Sequence, residues 1–95
     1  MARAVEYALS AENAYYVSLW DQLSLHQRRT VRALALSGAI APFNKIFLAE
    51  YDLGPSASVA RSLAQLLKHQ ILRKSEKGCL FADPFFRLWV KSKIA

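Results

Sequence analysis

Ser58, Arg61, Ser62, Gln65 and Lys68 are linked by spacings of three and four in one stretch of the chain. On an α-helix that spacing gathers them into a single polar stripe. Their types suit hydrogen bonding to base edges: a guanidinium matches the two acceptors of guanine, a carboxamide matches adenine, and hydroxyls adapt to several bases. A little further on, Arg73, Lys74 and Lys77 add cations of the kind that meet phosphate oxygens. The stripe therefore predicts contact with duplex DNA, with Arg61 as the main base reader and with Lys68, Arg73, Lys74 and Lys77 on the backbone.

Other chemistry finds little support. No G-x-x-x-x-G-K-[ST] run occurs, and Gly38, Gly54 and Gly78 are too far apart to build a phosphate-cradling loop. His26 and His69 fall on different predicted helices, and neither has an acid partner close in sequence, so no nucleophile, base and orienting group assemble. His26 is expected to be a solvated side chain in the first turn of its helix. The single cysteine, Cys79, has no partner for an internal disulfide and no metal-ligand spacing around it. It reads as a small apolar residue in a strand. No catalytic residue, metal or cofactor is expected, and the chain itself is not expected to be an enzyme.

The stripe needs a helix to carry it, and the opposite residues provide one. Val59, Leu63, Leu66 and Leu67 recur at helical spacing and form the face to be buried. Gly54 is expected to supply the left-handed residue that ends the preceding helix, Pro55 to stop it and Ser56 to cap the next. That preceding helix is NKIFLAEYDL, capped by Asn44 after Pro42, burying Phe47 and Tyr51 with Ile46 beside them. Beyond the stripe, residues 71–75 and 79–82 read as strands joined by Glu76-Lys77-Gly78, a three-residue hairpin connection. Two helices joined by a short turn, followed by a hairpin with basic residues near its tip, predict a winged helix-turn-helix.

The flanks complete one domain over residues 1–95. Residues 1–23 are a helical lead-in in which Ser10 can cap a helix using Tyr16, Leu19, Trp20 and Leu23. Tyr15, Tyr16 and Trp20 belong either to the core or to a contact with a neighbouring domain. Ser24-Leu25-His26-Gln27 is a capping box, and Gly38 is a plausible stop for the helix it opens. Val31, Leu34 and Ala35 face the core, leaving Arg28, Arg29 and Arg32 outside. Arg28 and Arg32 repel at i, i+4 unless an anion lies nearby: Glu12, Asp21 or a phosphate. Residues 24–82 hold the helix-turn-helix and wing. Residues 83–95 form a last helix with Asp83 at its N-cap, Pro84 at its first position and an i, i+4 option between Asp83 and Arg87. Its apolar residues go nearly all round, so Trp89 is expected to be buried. The fold class is thus mostly α with a small β-hairpin wing.

Composition agrees with a folded domain. Apolar residues make up 54% of the chain, which argues against disorder, and no apolar run approaches the roughly 18 residues of a membrane span. No membrane partner and a cytoplasmic location are expected. The net charge of +6 arises wholly after Asp52, in the half that carries the stripe and hairpin. Such a surplus fits an acidic partner there, or serves solubility alone.

The Ser24-Leu25-His26-Gln27-Arg28-Arg29 helix start, the turn and helix LGPSASVARSLAQLLKHQIL, and Phe81-Ala82-Asp83-Pro84 running into Phe85-Phe86-Arg87-Leu88-Trp89 resemble the C-terminal winged-helix domain of prokaryotic, archaeal-type AAA ATPases. The resemblance covers residues 24–91. It implies an ATP-binding parent protein and DNA contact inferred from the fold. Two functions follow: a non-catalytic DNA-binding domain, or an interaction module docking on an ATPase core, on a partner or on itself.

Overall fold

The computed structural model describes residues 13–37, 45–76 and 78–94. Ser10, Glu12, Gly38, Pro42, Asn44 and Lys77, all given roles above, lie outside that set. The elements follow as α1 (Asn13–Asp21), α2 (Leu25–Ser37), α3 (Lys45–Glu50), α4 (Ser56–Lys68), β1 (Leu72–Ser75), β2 (Gly78–Phe81) and α5 (Pro84–Trp89). A π-helical turn, Val90–Ile94, continues α5. This is the expected winged helix-turn-helix with a helix added at each end.

α2 is the central element, packed against both α4 and the π-helical turn. The capping box opens it as expected: the Gln27 amide donates to Ser24 Oγ at 3.3 Å, and the Ser24 amide to Gln27 Oε1 at 3.0 Å. Val31, Leu34 and Ala35 are buried, joined by Thr30 and Ala33. The like charges of Arg28 and Arg32 are relieved on one side by α1. Arg28 donates to the carbonyls of Trp20 and Asp21, lies over the Trp20 ring at 5.7 Å, and has Asp21 Oδ1 at 4.0 Å. Among the described residues, Asp21 is the acidic side chain paired with Arg28.

Both helices of the helix-turn-helix end in the same closing geometry. At the end of α3 the Leu53 amide reaches back to the Leu48 carbonyl at 3.0 Å and the Asp52 amide to Ala49 at 3.3 Å, with Asp52 at φ 52°. At the end of α4 the Ile71 amide bonds Leu66 at 3.0 Å and Gln70 bonds Leu67 at 3.1 Å, with Gln70 at φ 61°. These are Schellman closures whose left-handed position carries a side chain instead of the usual glycine. The expectation that Gly54 ends α3 is thereby corrected. Gly54 does have φ 75°, but two residues later, inside the turn. Ser56 is likewise the first residue of α4 rather than its cap; Pro55 holds that place and offers no side-chain bond.

The hairpin pairs Leu72 with Phe81, Arg73 with Leu80, Lys74 with Cys79 and Ser75 with Gly78. Gly78 therefore belongs to β2 and not, as expected, to the connection. The Ala82 amide adds one further bond to the Ile71 carbonyl at 3.0 Å.

The flanking helices are bound to each other by side chains. Trp89, only 2% exposed, packs on Tyr16 and Phe86 and donates from Nε1 to Asn13 Oδ1 at 2.8 Å. Asp83 caps α5 by accepting from the Phe85 amide at 2.9 Å. Its other oxygen accepts from the Tyr16 hydroxyl at 2.8 Å, so it turns to α1 rather than to Arg87. Tyr16 is thus core, whereas Tyr15 is 57% exposed. Ile46 does not join Phe47 inside: it is 76% exposed. Among the described residues, no helix is long and apolar enough to cross a membrane.

Candidate nucleic-acid interface

The rotation of α4 about its own axis decides which side chains it offers outward. Val59, Leu63 and Leu66 are buried and Leu67 is partly so, which fixes the inner face as the sequence predicts. Arg61, Gln65 and Lys68 are exposed, together with Ala57, Ala60 and Ala64. Ser58 is half-buried at the margin.

Ser62 does not reach that surface, and the reason lies on α2. It is 7% exposed, and its hydroxyl sits 2.6 Å from His26 Nδ1. The other ring nitrogen, Nε2, is 2.8 Å from the Leu53 carbonyl oxygen. A carbonyl only accepts, so Nε2 carries a proton; in the neutral ring Nδ1 then accepts from the Ser62 hydroxyl. His26 is therefore not a solvated side chain. It joins α2 to the turn before α4 and to α4 itself, and removes Ser62 from the set of base-reading candidates.

Sequence reasoning missed this because the two residues are 36 positions apart. A signal was present: on the helical wheel Ser62 is the stripe residue that falls next to Leu66, at the edge of the apolar arc.

In the hairpin, alternation separates the cations. Leu72 and Lys74 share one face with Cys79 and Phe81, while Arg73 and Ser75 share the other with Gly78 and Leu80. Arg73 and Lys74 are both exposed but point to opposite sides, so they form no single patch. Cys79, directly across from Lys74, is partly buried. Burial pushes its thiol pKa up, and the Lys74 ammonium opposes this with a smaller pull downward.

Another basic group lies off α4. Arg29 and Arg32 of α2 line an open cleft of about 250 Å³ with Tyr51 and Asp52. Among the described residues, no group of His, Cys, Asp or Glu side chains is gathered that can hold a metal ion.

A helical pair closed by a short turn, an outward second helix and a two-stranded wing define the winged-helix class, a fold commonly used for DNA binding. Residues 14–92 match the family described as "Probable winged helix domain", and the chain belongs to that family. No curated protein matches the chain, and no solved structure does.

Proposed function

We propose that the chain is a non-catalytic DNA-binding module in which α4 enters the major groove. The observation that carries this reading is the outward face of α4, where Arg61, Gln65 and Lys68 are exposed together while the inner face is held by the core and by the His26 bond. Arg61 suits guanine and Gln65 suits adenine, with Ser58 at the edge of the contact. Lys68, Arg73, Lys74 and Lys77 are assigned to phosphates, with Arg73 and Lys74 on opposite faces of the wing. The resemblance over residues 24–91 supports a place at the C-terminal end of a cytoplasmic AAA ATPase, with the nucleotide chemistry in the rest of that parent. Residues 1–23, 24–82 and 83–95 then act as one domain.

The test is duplex binding over a salt series. Arg61→Ala should lose about 1–3 kcal/mol on preferred sequences and little on others, whereas Lys77→Ala should weaken all duplexes alike and flatten the salt slope by about one unit. Near-zero losses for both variants on every duplex would remove the DNA reading.

A second reading has its own observation. Tyr15, Leu25 and Ile46 are exposed apolar side chains on three helices, as suits a module docked on an ATPase core, a protein partner or a second copy. Sedimentation of the free chain discriminates self-docking, since a monomer at high concentration excludes it.

A further inference from the structure

Three arginines project from α2, and the structure treats them differently. Arg28 is taken up by Trp20 and Asp21. Arg29 and Arg32 are exposed and form no ion pair among the described residues. They stand at i, i+3, which puts neighbouring guanidinium groups on one side of the helix, facing Tyr51 and Asp52 across the cleft.

The chemistry of the cleft selects its occupant. Two guanidinium forks and a phenol hydroxyl supply more donors than a carboxylate's two oxygens can use, whereas a phosphoryl group presents oxygens in several directions. Charge narrows the choice. Two cations and the Asp52 carboxylate leave the site with one net positive charge, which suits a singly charged phosphodiester better than a doubly charged phosphomonoester. Asp52 is held there by the Schellman closure of α3, immediately ahead of the turn that leads into α4.

We infer that this cleft receives one backbone phosphodiester of the duplex whose groove α4 occupies, an assignment that rests on the DNA reading above. Arg29 and Arg32 bind the phosphate. Asp52 limits the affinity and keeps doubly charged phosphomonoesters out.

Duplex binding by the intact chain, followed by fluorescence anisotropy across a salt series, tests it. Arg29→Gln with Arg32→Gln should flatten the slope of log K against log salt by about one unit, so that a fourfold rise in salt costs the variant about three- to fourfold less affinity than it costs the unaltered chain. Its ranking of sequences should not change. Asp52→Asn, which tolerates the left-handed backbone, should tighten binding severalfold at low salt and lose that gain at high salt. An unchanged slope in the double variant, or no gain from Asp52→Asn, overturns the assignment. If that happens while Arg61→Ala still loses sequence preference, the DNA reading stands without the cleft. If the unaltered chain binds no duplex at any salt, both fail. Inorganic phosphate titrated alone should move the Arg29 and Arg32 Nε–H resonances less than duplex does; shifts as large as those caused by duplex would assign the cleft to a free oxyanion and overturn the backbone assignment.

Discussion

His26 has two partners of unequal flexibility. The Leu53 carbonyl can only accept, while the Ser62 hydroxyl rotates to suit the ring, so Nε2–H is the expected tautomer and ring-nitrogen NMR should report it. His26→Ala strands the buried Ser62 hydroxyl and one turn carbonyl, and should cost about 1–3 kcal/mol in denaturant unfolding. Coupling between His26→Ala and Ser62→Ala in a double-mutant cycle would confirm the pair; independent effects would refute it. Cys79 makes a prediction of direction only. Burial raises its thiol pKa, so alkylation should begin at higher pH in the folded chain than in the unfolded one. The neutral thiol is the form favoured by folding. Its contribution is therefore complete below the unfolded pKa and declines as pH climbs through the folded one. The capping pair Ser24 and Gln27 was legible because its partners are three residues apart; the His26 pair was not, because only the assembled fold brings α2 and α4 together.

At the scale of elements, helix ends were the least legible feature. A glycine in a turn invites assignment as the left-handed closing residue, yet α3 closes on Asp52 and α4 on Gln70. The deciding signal is the buried residue that follows each, Leu53 and Ile71, which makes the apolar contact of a Schellman closure. Gln70 holds a conformation that disfavours any Cβ, so Gln70→Gly should stabilise the chain by about 1 kcal/mol. Gly54→Ala should do the opposite and cost about 1–2 kcal/mol through conformation alone, since a Cβ built there meets no atom within 4 Å. Thermal denaturation of the two variants checks both signs. Strand alternation was legible in principle and would have separated Arg73 from Lys74 before any coordinates were known.

Across the whole molecule, the terminal helices are part of the same core as the helix-turn-helix. Trp89→Ala removes a buried aromatic that joins α5 to α1 and should cost about 3–5 kcal/mol, measured by denaturant titration. A loss below about 1 kcal/mol would place the indole outside the packed core. Because Tyr16, Val31, Leu66, Phe86 and Trp89 belong to one cluster, tryptophan fluorescence and far-ultraviolet dichroism should follow a single unfolding transition. The apolar circumference of α5 made burial of Trp89 legible but not which of its aromatics stays outside, since Phe85 is 42% exposed; the exposure of Ile46 on the six-residue α3 likewise depends on neighbours that local spacing does not specify. The engagement of His26 also makes the two histidines chemically distinguishable. Carbethoxylation needs a free imidazole lone pair; that of His26 is occupied by Ser62, while His69 is exposed at the end of α4. In the folded chain His69 should therefore be modified first, and any ligand or substitution that lifts α4 from α2 should make the two rates converge, giving the helix-turn-helix a covalent readout of its own integrity.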